Sequence, residues 1–245
     1  TVKGLVINSA AMRSVKIVDV GNDKQIEVGG GALFGDLLES LRDMPAVGGG
    51  RYTITHGRCR GVGLSAFLMG GGWAIDSCYL GMGCDRVKKV ELVLADGSLV
   101  QAERTGPYSD LFWAVRGGGG GNLAYATKWW LEAEEVHNVV VFNANWRLSF
   151  DLASKVFPKL FRKLDAAPTT LGAQMTMSTP SAAYNAKWAF TITLRCIFHG
   201  TSGDFESLLR STINEVDEIV KNQCAPSNPC ASTDTLELRY WDAQE

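Results

Sequence analysis

The chain has 245 residues, 46% of them hydrophobic, and a formal net charge of −2. That length suits one large domain or one and a half, and the near-neutral balance excludes the basic footprint that nucleic acid or an anionic membrane would require. No apolar run approaches the roughly 20 residues that span a bilayer, and Thr1-Val2-Lys3-Gly4 is not a signal peptide; one, if present, lies upstream.

In chain order, Lys3–Asn8 and Ser14–Val20 read as short strands, and Gly21-Asn22-Asp23 is a turn into a strand over Gln25–Gly29. Leu33, Phe34, Leu37, Leu38 and Leu41 recur at helical spacing and predict an amphipathic helix over Leu33–Asp43. Arg86–Leu94 is a strand, Asp96-Gly97 a hairpin turn and Ser98–Ala102 its partner. Tyr108–Val115 is a short helix with Ser109 or Asp110 near its cap, and Leu123–Glu134 leads out as strand.

After about residue 136 the pattern changes. Phe142, Ala144, Trp146, Leu148 and Phe150 alternate, as do Trp188, Phe190, Ile192, Leu194, Cys196 and Phe198, the mark of half-buried antiparallel strands. Leu152–Leu164 reads as a helix that Pro158 should bend or break. Phe205, Leu208, Leu209, Ile213, Val216, Ile219 and Val220 make the best amphipathic helix in the chain. The expected fold class is α+β, in two lobes that meet near Glu135–Val139, the second an antiparallel sheet with helices on one face.

Six cysteines (Cys59, Cys78, Cys84, Cys196, Cys224, Cys230) fit neither a disulfide-dense scaffold nor a zinc pattern. Cys224 and Cys230 bracket a turn-rich loop that a disulfide could close, which would mean an oxidising compartment; reduced cytosolic thiols are the alternative. His56, His137 and His199 form no metal spacing. No Ser-His-Asp or Walker-type pattern occurs. Asp110 reads as a cap residue, Trp129, Trp130 and Trp188 as core, and Gln174, Asn185 and Lys187 as residues that could face a substrate from the second sheet.

The 27 glycines are the outlier. Most lie between Gly29 and Gly121, interleaved with bulky apolar residues, so they are not a flexible linker. Gly57, Gly61 and Gly63 around Cys59, the run Gly70-Gly71-Gly72, and Gly117–Gly121 could present backbone donors to a pyrophosphate and a flat surface to a ring. Arg58 and Arg60 flank Cys59 and would favour its thiolate, making it a competent nucleophile; the alternative is a buried structural cysteine.

Three stretches, HGRCRGVGLSAFLMGGGWA (His56–Ala74), LGMGCDRVKKVELVLADGSLV (Leu80–Val100) and SDLFWAVRGGGGGN (Ser109–Asn122), resemble in this order the flavin-binding core of the berberine-bridge-enzyme-like oxidases of the vanillyl-alcohol-oxidase (PCMH) type. The resemblance implies FAD as cofactor, with Cys59 able to bond the flavin through sulfur, the backbone of Val62 and Gly63 beside the ring, and Gly57, Gly61, Ala66, Gly70, Gly120 and Asn122 around the ligand. It is strong to about Glu135 and rests on layout beyond. It divides the chain into a partial FAD-binding domain over residues 1–136 and a partial substrate-binding domain over 137–245.

The chain departs from the pattern where Ala66, Ala74 and Ala124 stand for the family's glycines and Phe67 for a frequent histidine. The family's preceding subdomain, with its pyrophosphate loop and second flavin link, and its C-terminal strand with the catalytic acid or base, have no counterpart here. No catalytic residue is therefore assigned. The implied activity is FAD-dependent oxidation of a small molecule (a carbohydrate, alcohol or secondary metabolite) by one piece of a longer or multichain flavoprotein, with companion chains supplying the missing parts and a secreted or secretory-pathway location. The competing expectation is a non-catalytic, sugar-binding pseudoenzyme on the same scaffold.

Overall fold

The computed structural model describes residues 4, 6–21, 23–42, 51–179, 190–221, 231–240 and 242–244. They divide into two compact units, Thr1–His137 with Gln244–Glu245, and Asn138–Ala243.

In the first unit, β1 (Val15–Val20) and β2 (Asp23–Gly29) form a hairpin with Val15 opposite Val28. The apolar stripe that follows forms α1 (Phe34–Arg42), which buries Phe34, Leu37, Leu38 and Leu41. A short β3 (Arg51–Thr53) precedes α2 (Leu64–Met69) and α3 (Ser77–Leu80). Then come β4 (Val87–Val93), β5 (Leu99–Glu103), α4 (Ser109–Ala114), β6 (Tyr125–Glu132) and β7 (Glu134–Val136). Five strands make an antiparallel sheet in the order β1-β2-β6-β4-β5, and β3 pairs with β7. The β4–β5 turn forms as Asp96-Gly97 predicts: Leu94 O accepts from Gly97 N at 3.0 Å, and Asp96 Oδ1 accepts from Ser98 N at 2.9 Å. Val28, Val90 and Trp129 lie side by side on neighbouring strands, each with no exposed surface.

In the second unit, β8 (Asn138–Leu148), α5 (Phe150–Asp165), β9 (Leu171–Ser178), β10 (Phe190–Phe198), α6 (Ser202–Lys221) and β11 (Ala231–Arg239) form a four-stranded antiparallel sheet, order β11-β8-β10-β9, with two helices. Alternation sends Phe142, Ala144, Trp146, Ile192, Leu194 and Cys196 into a core closed by Leu152, Val156 and Leu160 of α5 and Phe205, Leu209, Ile213 and Val216 of α6. The opposite face carries polar rows: Asn145, Thr193 and Thr176 stand in register, as do Asn143, Arg195 and Gln174.

Several expectations need correction. Residues 6–8 form no strand; Val6 and Ile7 are exposed and pair with no strand among the described residues, and Lys3 lies outside them. The strand expected over Leu123–Glu134 starts at Tyr125 and breaks at Ala133, whose N–H bonds Lys24 O. Tyr108 takes the N-cap of α4 without a side-chain bond, leaving Asp110 in the first turn. Phe150 leaves the β8 alternation to begin α5, because Ser149 Oγ caps that helix by accepting from Leu152 N. Pro158 does not end α5. An interior proline costs about 3 kcal/mol, less than the burial of Leu152, Val156 and Leu160 contributes together at roughly 1.5–3 kcal/mol each. Trp188, Asn185, Lys187, Cys224 and Cys230 lie outside the described residues.

Candidate functional site

The run Thr53-Ile54-Thr55-His56 is buried, whereas Arg58-Cys59-Arg60-Gly61 is exposed and Val62 partly so. Gly57 is the pivot between them. A Cβ there would meet the Phe34 ring at 2.7 Å, so only glycine lets the chain pass over that ring. Beyond it backbone hydrogen bonds stitch the loop to the start of α1. Gly35 N donates to Arg60 O at 2.9 Å, Phe34 N to Val62 O at 3.0 Å and Leu64 N to Ala32 O at 2.9 Å, while Leu33 and Gly63 form an isolated β-bridge.

Cys59 sits at the crest of this loop as an exposed free thiol, its carbonyl accepting from Val62 N at 3.0 Å. The two flanking cations differ. Arg60 is paired with Glu39, while Arg58 has no ion pair among the described residues and partial burial lowers its pKa. His56 points below the loop: its Nδ1 lies 2.9 Å from Gly57 O, and burial lowers its pKa against the opposing pull of that bond and of Asp76.

Gly63 leads from the loop into a cavity of about 390 Å³. Its walls are Ile7 and Ser9, the turn Gly30–Leu33, Ser65, Ala66 and Met69 of α2 and its approach, and the segments Gly120–Gly121 and Ala124–Ala126. The volume falls within the usual range for small-molecule sites, about 300–1,000 Å³. Gly31 is needed by packing, since a Cβ would fall 1.9 Å from Ser9 O. Gly63 and Gly121 are different: a Cβ on either would meet nothing within 4 Å, so they leave wall surface without side chains. Ser65 ties the wall together, donating to Gly30 O at 2.7 Å and accepting from Trp129 Nε1 at 2.9 Å.

Of the residues expected at the site, Gly63, Ala66 and Gly120 meet in the cavity wall. Gly57, Cys59, Gly61 and Val62 occupy the adjoining loop. Gly70 caps α2, donating to Ala66 O, and Asn122 is an exposed residue beyond Gly121; neither lines the cavity. The replacements Ala66, Ala74 and Ala124 bring no backbone strain, because no non-glycine residue among those described has positive φ. Ala66 and Ala124 do narrow the cavity by their methyls. Phe67 packs edge-on against Phe34, centroids 4.9 Å apart. Gly30, Gly31, Ser65 and Tyr125 are wall residues that sequence reasoning missed; the glycine run closing β2 was the available signal. Among the described residues, no cluster could hold a metal and no helix is long and apolar enough to cross a membrane.

The comparisons with known proteins agree with this geometry. Residues 1–103 match the family described as FAD binding domain. The chain is 24% identical over 213 residues to berberine bridge enzyme-like 26 of Arabidopsis thaliana, covering 86% of this chain and 38% of that protein. The fold superposes on a glucooligosaccharide oxidase from Acremonium strictum, which carries a 6-S-cysteinyl, 8α-N1-histidyl FAD, with TM-score 0.73 at 20% identity, over 96% of this chain and 43% of that one. It also superposes on a VAO-type flavoprotein from Myceliophthora thermophila C1, TM-score 0.71 at 21% identity, over 95% and 40%. The chain thus spans less than half the length of these relatives.

Proposed function

We infer that this chain, which carries an FAD-binding domain and the fold of the berberine-bridge-enzyme-like, vanillyl-alcohol-oxidase-type flavoproteins, is the flavin-holding part of an FAD-dependent oxidase. The observation that carries the reading is the continuity between the Cys59 loop and the glycine-lined cavity, joined at Gly63. Gly63, Gly120 and Gly121 would let the ligand lie against backbone, whose N–H groups suit a pyrophosphate. Ser65 keeps the Gly30 turn and α2 at fixed separation, and Cys59 would hold the flavin through sulfur. When bound, FAD would take hydride from the substrate and pass the electron pair to dioxygen or another acceptor.

The polar rows on the open face of the second unit, with Thr193 Oγ1 donating to Asn145 Oδ1 at 2.8 Å, suit a hydroxyl-rich small molecule such as a carbohydrate, ahead of an apolar alcohol or secondary metabolite. The remainder of the flavin site and the catalytic acid or base would come from polypeptide outside these residues, in a longer or multichain flavoprotein. The intact mass of the native material tests that part directly.

The deciding experiment is the absorbance spectrum of native protein together with the mass of the peptide containing Cys59. Flavin bands and a peptide heavier by one FAD support the covalent oxidase. The narrowing of the cavity by Ala66 and Ala124 favours a second reading, a sugar-binding protein without redox activity. Colourless protein with an unmodified Cys59 peptide, after FAD has been offered with every companion chain present, would select it.

A further inference from the structure

The buried polar side chains recorded among the described residues are Thr53, Thr55, His56 and Asp76. Three of them form one stretch running into Gly57, and the fourth opens α3. Burying polar groups costs free energy unless each is partnered, and apolar side chains at these positions would pack more cheaply. Partners are present. Thr55 Oγ1 donates to Gly81 O at 3.0 Å, anchoring the stretch to the end of α3. His56 Nδ1 donates to Gly57 O at 2.9 Å, and the Asp76 carboxylate acts on the same imidazole through its charge.

The Cys59 loop is therefore clamped at two ends of different kinds. The far end, at Arg60 and Val62, is held by backbone hydrogen bonds to α1 that any side chains would permit. The near end depends on one side chain. The Gly57 carbonyl sets the plane of the Gly57–Arg58 peptide, two residues from the sulfur, and His56 is the group that holds this carbonyl. Phe34 limits the room for Gly57 to move aside, because its ring lies under Gly57 and against both His56 and Phe67, with centroids at 5.9 and 4.9 Å.

We propose that His56 is a positioning residue for Cys59, orienting the thiol through the Gly57 carbonyl. This rests on the reading of Cys59 as the residue that holds the flavin.

The test compares His56→Leu, which removes the donor, with His56→Asn, whose amide nitrogen also hangs from Cγ and can donate to Gly57 O. His56→Gln, with its donor one bond farther out, is the second variant should the leucine protein not fold. The readout is the rate of alkylation of Cys59 by iodoacetamide in flavin-free full chain, relative to that of the exposed Cys78 in the same molecules. General loosening of the fold moves both thiols; loss of positioning moves Cys59 alone. The loss of one net hydrogen bond predicts a change of about fivefold in this ratio for His56→Leu, an intermediate change for His56→Gln, and recovery to within about twofold of wild type for His56→Asn.

After incubation with FAD, the leucine protein should also show less flavin on the Cys59 peptide while binding FAD non-covalently. An unchanged ratio, equal effects of Leu and Asn, or equal changes at Cys59 and Cys78 would overturn the proposal. A wild-type Cys59 peptide that never acquires flavin overturns the flavin reading instead, and the alkylation ratio still decides the role of His56.

Discussion

Trp129 Nε1 donates to Ser65 Oγ at 2.9 Å, and that hydroxyl donates onward to Gly30 O at 2.7 Å. The relay joins β6 to α2 and to the turn after β2, the three pieces of backbone that frame the cavity. Ser65→Ala would leave a fully buried indole N–H and a carbonyl without their partner. An unmet buried group costs about 1–3 kcal/mol, so a loss of roughly 2 kcal/mol is expected, read as a lower denaturant midpoint with unchanged slope. Weaker FAD binding should accompany it.

Gly57→Ala should be destabilising because its Cβ would meet a ring carbon of Phe34 at 2.7 Å, and that ring is itself wedged against Phe67 and His56. Overpacking of this kind costs about 1–3 kcal/mol. The double substitution Gly57→Ala with Phe34→Leu should recover part of the loss, a coupling that a double-mutant cycle on thermal midpoints would measure.

Cys59→Ala is expected to change stability by no more than about 0.5 kcal/mol, since the thiol is exposed. In holoprotein, the variant's flavin should then be released by acid precipitation, and the wild-type flavin should stay on the peptide. Retention of flavin on the variant's peptide would remove Cys59 as the link.

The acid side of the stability curve should report His56. Burial lowers its pKa in the fold, while the unfolded chain keeps a value near 6.5. As pH falls through that unfolded value, the unfolded state takes up a proton that the fold refuses, so stability drops with decreasing pH until the lowered folded pKa is passed. Urea midpoints at pH 7.5 and 5 should differ by less in His56→Asn than in wild type, because the variant has no group there to titrate.

Cys196 should behave as the opposite of Cys59. Its place in the second core pushes the thiol up to about 12 through burial, so it stays protonated at pH 8. A disulfide reagent should label Cys59 and Cys78 in native protein and reach Cys196 only after denaturant is added, as peptide mapping would establish.

Much of this architecture is written in local patterns. The helix α1 follows from Leu33 to Leu41 at helical spacing, the β4–β5 hairpin from Asp96-Gly97, and α6 from its seven-residue apolar stripe. The misses share a cause: the deciding contact lies far away in sequence. Residues 6–8 have strand-like composition but pair with no strand among the described residues, and α5 survives Pro158 because the sheet beneath rewards its apolar face. Of the two edge strands, β9 keeps the alternation in Leu171, Ala173 and Met175, which sequence reasoning passed over, while β11 exposes most of its side chains. At the site, glycine spacing identifies the Cys59 loop and the Gly117–Gly121 run, yet composition cannot separate Gly31, kept by a neighbouring carbonyl, from Gly63, whose missing side chain opens onto empty space. Ser65 is an ordinary serine until Trp129 is seen beside it.

The far end of the Cys59 loop is fastened through the carbonyls of Arg60 and Val62 and the amides of Gly35 and Phe34. Fastening by main chain leaves the side chains at positions 58 and 62 with no bond to the scaffold among the described residues, and gives Arg60 only an exposed ion pair to Glu39. They form a short alphabet that can be rewritten around the thiol, so charge and bulk beside Cys59 can be tuned there without refolding the protein. A library varied only at these three positions should yield folded members at nearly full frequency, differing in redox potential rather than in stability.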